Sequence, residues 1–192
     1  MSIYDKVGST YDSMRSNIGI KDILNVVDIL GKEIKVLDLG CGTGHPIAKV
    51  VSPIVKEYIG VDKSQPMLDA YSKNVKDGEY MLLNMTDIGQ IPGKWEFIFS
   101  WGAICHLPIK QQKKVMKHVS KLLKPEGRFL FTGGKEIDEC TGKIGEYTVN
   151  HYSIGEKAYK EFLSELNMDL ISASFSEGNN YVYVFKKKKI CT

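Results

Sequence analysis

Three glycines spaced by two, Gly40, Gly42 and Gly44, break an apolar stretch that opens at Lys35-Val36-Leu37-Asp38-Leu39 and is followed by Pro46. An apolar run rich in strand formers, then clustered glycines, then a helix-compatible segment reads as strand, tight turn, helix. Glycine accepts the backbone angles such a turn demands and presents no Cβ to an approaching ligand. The amides at the helix start then offer donors to polar ligand atoms. Gly40, Cys41 and Gly42 are therefore candidate ligand contacts.

The surrounding residue types restrict what such a cradle could hold. A dinucleotide fingerprint needs a third small residue at the position occupied by His45, and no Gly-Lys-Ser or Gly-Lys-Thr closes the turn as in a phosphate-gripping loop. Asp38, just ahead of the glycines, suits an ammonium group or the ordering of the loop better than a pyrophosphate. Asp62 closes the next apolar run, Tyr58-Ile59-Gly60-Val61-Asp62, where a carboxylate can accept both hydroxyls of a ribose. Asp87 follows the third run, and with the amide of Ile88 it could meet an adenine edge. Ser100 ends the fourth. A ligand with an ammonium, a free ribose and an adenine but no phosphates is S-adenosylmethionine.

Alternating elements are needed to bring these points together. Ile20, Ile23, Leu24, Val27 and Leu30 recur at helical spacing before Gly31, so a helix precedes the first strand. Pro46 to Val51 reads as a short helix, and a helix capped by Ser64 runs to Asp77-Gly78. Tyr80–Met85 and Glu96–Trp101 are the third and fourth strands. The apolar face Val115, Val119, Leu122 and Leu123 marks a helix over 109–123, and Arg128–Thr132 is the fifth strand. Alternating strands and helices with short connections predict a parallel sheet covered on both faces. Residues 133–153 break this rhythm, being polar and glycine-containing, and their place after a strand suits a substrate lid. A helix around Tyr159, Phe162, Leu163 and Leu166 follows. Leu170–Phe175 and Tyr181–Phe185 then form an antiparallel hairpin.

At 192 residues the chain suits one domain. No apolar run reaches the ~20 residues of a membrane span, and Met1 to Lys6 shows no apolar signal core, so a cytoplasmic protein is expected. The four cysteines, Cys41, Cys105, Cys140 and Cys191, fall in no spacing typical of a zinc site or a disulfide framework. Of 26 basic residues only Arg15 and Arg128 are arginine, and net charge is +3, which makes a nucleic-acid partner unlikely.

Taken together, Val36-Leu37-Asp38-Leu39-Gly40-Cys41-Gly42-Thr43-Gly44 resembles the first motif of the class I S-adenosylmethionine-dependent methyltransferases. Tyr58–Asp62 with Ser64, Met67 and Leu68 resembles the second. Met85-Thr86-Asp87-Ile88 resembles the adenine-binding segment, and Leu122–Arg128 the turn before the fifth strand. The resemblance implies an α/β, Rossmann-like doubly wound sheet of seven strands, mostly parallel, with an antiparallel C-terminal hairpin. It implies N-terminal cap helices over 1–31 and the lid over 133–153. It implies cofactor contacts at Tyr11, Asp38, Gly40, Cys41, Gly42, Asp62, Lys63, Met67, Asp87, Ile88 and Ser100, with Tyr11 closing over the amino-acid end.

Methyl transfer depends on alignment in a partly desolvated site more than on covalent help. His106, beyond the fourth strand, is the candidate general base, and His151 near the lid is a second. Trp101, Tyr147 and Tyr152 could line a pocket. Ser100-Trp101-Gly102-Ala103 stands where methyltransferases acting on nucleobase amines or glutamine amides carry an Asn-Pro-Pro-Tyr type motif, which argues against those acceptors. A small-molecule acceptor methylated on oxygen or nitrogen is expected, by a monomer or homodimer. The lysines at 110, 113, 114, 117 and 121 keep an RNA or protein acceptor open, and a non-catalytic cofactor-binding module is the remaining alternative.

Overall fold

A computed structural model describes residues 3–7, 12, 18–76 and 78–189. The chain order is α1 (Ile3–Val7), α2 (Ile20–Leu30), β1 (Lys35–Leu39), α3 (Ile47–Val51), β2 (Glu57–Asp62), α4 (Gln65–Asn74), β3 (Glu79–Leu82) and β4 (Trp95–Ser100). It continues with α5 (Ile109–Leu122), β5 (Leu123–Gly133), β6 (Ile137–Ile144), β7 (Tyr147–Ile154), α6 (Gly155–Glu165), β8 (Met168–Phe175) and β9 (Tyr181–Lys187).

Seven strands form one sheet in the order β3-β2-β1-β4-β5-β9-β8. The first five are mutually parallel, and β9 runs antiparallel to both β5 and β8. This is the α/β, doubly wound sheet with an antiparallel C-terminal hairpin that the alternating pattern predicts. Both faces of the central strands are apolar because each carries its own helical layer. Val36, Phe97, Phe99 and Leu130 pack with α2, α3 and α4 on one side. Leu37, Leu39, Ile98, Phe129 and Phe131 pack with α5 and α6 on the other. The successive residues of each strand thus feed two separate cores.

The strand order reverses between β1 and β4, so the connections leaving them go to opposite faces, α3 to one core and α5 to the other, and leave a crevice beside the glycine turn. Ligands of open parallel sheets bind at such reversal points. Gly31 ends α2 as expected, its N–H donating to the Val27 carbonyl.

Three boundaries differ from the sequence pattern. β3 ends at Leu82 rather than Met85, because Asn84 starts a 3-10 turn by accepting the Thr86 amide on its side chain. Pairing of β5 begins at Leu123, where α5 runs directly into the strand, and shifts register before Arg128 meets Phe97. Residues 133–153 contain a two-stranded antiparallel sheet, β6 with β7, in which Cys140 pairs with His151. The hairpin lacks the alternating apolar signal of a strand because most of β6 faces solvent.

Gly60 in β2 has no room for a side chain: a Cβ there would lie 2.8 Å from Cys41 Sγ and 3.0 Å from the Tyr71 ring. A Gly60→Val exchange should therefore cost about 1–3 kcal/mol of stability, read as a lower urea midpoint, since both neighbours are packed. An unchanged midpoint would show that the turn yields freely.

Candidate functional site

The turn after β1 is held by the end of β2. The amides of Gly40 and Cys41 both donate to the Val61 carbonyl, at 2.8 and 3.1 Å. The Gly42 amide donates to one Asp62 carboxylate oxygen at 3.0 Å, and Ser64 N–H donates to the other at 2.9 Å. Asp62 thereby links the glycine turn to the start of α4. Ser64 occupies the N-cap position, but its hydroxyl donates to Asp5 of α1 at 2.6 Å instead of capping the helix.

Gly40 has φ of +81°, and a Cβ on it would lie 2.4 Å from the Ala103 methyl. The bare backbone here forms one wall of a cleft of about 740 Å³, counting its mouth. Of the candidate residues, Gly40, Cys41, Gly42, Asp62, Lys63 and His106 line it. Val61 and Leu83 add apolar surface, and Asn84 and Met85 stand at the β3 end. Burial raises the Asp62 carboxyl above its ordinary value, against the opposing effect of the Ser64 and Gly42 amides. Burial, with the charges of Asp38 and Asp62, drives the Cys41 thiol far upward, so Cys41 offers its backbone and not a thiolate.

The other strand-end residues do not converge on this cleft. Asp38 is buried and accepts the Tyr58 hydroxyl at 2.8 Å, since alternation turns it toward the α2–α4 face. Asp87 stands outside in a 3.0 Å ion pair with Lys114 of α5, because the early end of β3 leaves Asn84 and Met85 at the wall in its place. That pairing lowers the Asp87 carboxyl. Met67 of α4 and Ile88 are fully buried, Ile88 in the core shared with α5 and α6. Ser100 is fully buried too: its hydroxyl donates to the Leu39 carbonyl at 2.9 Å and accepts the Ile104 amide at 3.1 Å. It fixes the β4 loop relative to β1.

Tyr11 lies outside the described residues. Tyr4 of α1 lines the cleft. Asp12 accepts the Thr43 hydroxyl and, at 2.7 Å, the Asn74 side-chain amide, so the described parts of the N-terminal segment lie across the glycine turn. Asn84 was readable as a cap-type residue; no pattern in the sequence signalled Tyr4.

A second, more open cavity adjoins the first and shares Gly102 and His106 with it. The hairpin contributes Cys140, His151 and Tyr152 to this cavity. The His106 Nδ1 lies 3.0 Å from the Asn150 carbonyl, its ring 4.5 Å from that of His151 and 6.0 Å from that of Tyr4. Burial holds the His106 imidazole below its ordinary value and the charge of His151 acts the same way, while the Asn150 and Gly102 backbone favours the protonated ring. Cys105 is pushed up to about 11 by burial, so it too stays a thiol.

Residues 36–127 match the family model described as a methyltransferase domain. The chain is 32% identical over 145 residues to an uncharacterised methyltransferase of Schizosaccharomyces pombe, C70.08c, covering 70% of this chain and 50% of that protein. The chain belongs to the class I S-adenosylmethionine-dependent methyltransferases. Its cofactor is S-adenosylmethionine. The phosphoethanolamine N-methyltransferase of Plasmodium falciparum is 23% identical over 176 residues, 90% of this chain and 61% of its own length. The fold is shared with the CcbJ methyltransferase of Streptomyces caelestis, at a TM-score of 0.79 and 15% identity over 98% of this chain and 99% of that one. The chain spans about half the length of the curated relatives it matches.

Two outcomes follow for a methyltransferase site of this geometry. Asp62→Ala should weaken S-adenosylhomocysteine binding more than tenfold in calorimetry, because charge-assisted hydrogen bonds to a ligand and the bond to the Gly42 amide are lost together; unchanged affinity in a folded variant would contradict it. His106 has a folded-state value below the ordinary 6.5, so the unfolded chain takes the proton first. Its contribution to stability is complete above that ordinary value and is lost as pH falls through the folded value. The fall of urea stability on acidification from about pH 7 to about pH 5 should therefore flatten in His106→Phe.

Proposed function

We propose that this chain transfers a methyl group from S-adenosylmethionine to an oxygen or nitrogen of a small-molecule acceptor. The observation that carries this reading is the shared wall of Gly102 and His106 between the cleft at the glycine turn and the cavity beneath the hairpin. Gly40–Gly42 and Asp62 would hold the cofactor in the cleft, where it would supply an electrophilic sulfonium methyl that passes to the acceptor's electron pair while the C–S pair stays on sulfur.

The residues present fit that ligand. The backbone of Gly40–Gly42 would take its amino-acid end, with the loop-ordering carboxylate of Asp38 behind. Asp62 keeps lone pairs beyond those used by Gly42 and Ser64, enough for ribose hydroxyls. Asn84 and Met85 would flank the base. Tyr4 and Lys63 would limit access of water, which strengthens every electrostatic contact inside. His106 would accept the proton released by the acceptor. Holding both partners aligned supplies about 7–11 kcal/mol in favourable cases.

A small acceptor is supported by the enclosure under the hairpin of 133–153, which we assign as the lid of a single catalytic unit. The relative of Plasmodium falciparum acts, as its name states, on the small molecule phosphoethanolamine. The free thiols of Cys41, Cys105 and Cys140 suit a reducing, cytoplasmic setting. The lysine face of α5 offers less to a polyanion than its sequence suggests, because Lys114 is paired with Asp87 and Lys113 lies over the Phe162 ring.

The test is release of S-adenosylhomocysteine across a panel of small hydroxyl and amine acceptors. Saturable turnover is expected, with His106→Ala lowering kcat roughly 10²-fold or more. Steeply salt-dependent RNA binding with methylation of RNA alone would replace the small-molecule reading. Cofactor binding with no methyl release from any acceptor would favour a non-catalytic module.

A further inference from the structure

His106 and the hairpin are far apart in sequence and meet at the junction of the two cavities. His106 ends the 3-10 turn Ile104–His106 after β4, and Asn150 and His151 are consecutive on β7. The hairpin is held in place independently of this contact. Gln112 of α5, fully buried, donates to the Tyr152 carbonyl at 2.9 Å and to the Leu107 carbonyl at 2.8 Å. The Ser153 hydroxyl donates to the Gly134 carbonyl at 2.9 Å. Asn150 and His151 are therefore anchored through the two residues that follow them and by their pairing with Thr141 and Cys140 of β6.

We infer that the hairpin completes the base: the Asn150 carbonyl fixes His106 as the tautomer with its lone pair on Nε2, and His151 is a positioning residue that keeps this ring neutral. The inference rests on the methyl-transfer reading and deepens it. A carbonyl oxygen has lone pairs and no proton, so the 3.0 Å contact to Nδ1 requires that Nδ1 carry the hydrogen. Neutral imidazole has one N–H, so Nε2 is left as the acceptor.

The group on Nδ1 is a carbonyl and not a carboxylate, so it favours the imidazolium, as the Gly102 backbone does, but less than a full negative charge would, and burial of the ring outweighs both. Other groups also face the ring. His151 faces it from β7, Tyr4 from α1, Lys63 lines the shared cleft beyond β2, and Cys105 stays protonated beside it. Two imidazoles with centroids 4.5 Å apart resist both being charged, so the pair favours a neutral His106. In the reaction the proton of the acceptor's O–H or N–H passes to Nε2, its electron pair stays on the acceptor atom, and the imidazolium keeps its Nδ1–H on Asn150. The proton then leaves to water through the cavity beneath the hairpin. The base thus exists in working form only with the hairpin in place, which couples enclosure of the acceptor to its activation.

Long-range proton–nitrogen NMR on the uniformly labelled chain tests this without cofactor or acceptor, with the His106 signals assigned by their loss in His106→Gln. Expected are a neutral His106 with the proton on Nδ1 and a titration midpoint below 6.5. In His151→Phe, which keeps a ring against His106, the midpoint should move upward with the tautomer unchanged. His151→Leu serves as a second variant where the aromatic exchange disturbs the hairpin. A neutral His106 protonated on Nε2, or a midpoint that moves in neither variant, overturns the inference. The expected tautomer and shift in a chain that methylates nothing would support the hairpin contact and overturn the transfer reading alone.

Discussion

The carboxylate of Asp62 is the constraint on which the site depends. One oxygen takes the Gly42 amide and the other takes the Ser64 amide, so a single side chain at the end of β2 sets the glycine turn and the entry into α4 together. The Val61 carbonyl beside it takes the amides of Gly40 and Cys41. Backbone donors satisfied in this way cannot drift, and the bare face of the turn stays open to a ligand. The burial that raises the Asp62 carboxyl also makes its bonds strong, because little water competes for them.

Around that joint the molecule separates two tasks. The parallel strands and their two cores form a rigid platform, with Ser100 binding the β4 loop to the Leu39 carbonyl. Other elements are laid over the platform: α1 with Tyr4 at the cleft, Asp12 across Thr43, and the hairpin β6–β7 at the adjoining cavity. Function that varies in such folds resides in added segments, while the strand ends stay fixed. His106 stands where platform and added segments meet, and it is a residue of both cavities.

Local signals in the sequence were sufficient for the platform. The alternation of Val36 with Leu37, and of Phe97 with Ile98, is the period-two pattern of strands buried on both faces, and Gly31 is a helix stop in both readings. The glycine turn and Asp62 were readable because their chemistry is written in consecutive residues. The same local logic expected Asp38, Asp87, Ile88, Met67 and Ser100 at the ligand, and none of the five lines the cleft. Alternation turns Asp38 toward the α2–α4 face, the early end of β3 leaves Asp87 paired with Lys114, and Met67 and Ile88 are buried in α4 and in the turn after β3.

The sequence by itself determined the sheet class, the turn, and a cofactor with a ribose but no phosphates, since these depend on residues close together in the chain. Only the tertiary structure decided the other half of the site. Tyr4 reaches the cleft, and the hairpin the adjoining cavity, through contacts with no local pattern. The pairing of His106 with the Asn150 carbonyl spans 44 residues, and the acceptor is a main-chain atom that every residue type possesses. No residue identity encodes such a contact; the register of β7 against the loop after β4 creates it.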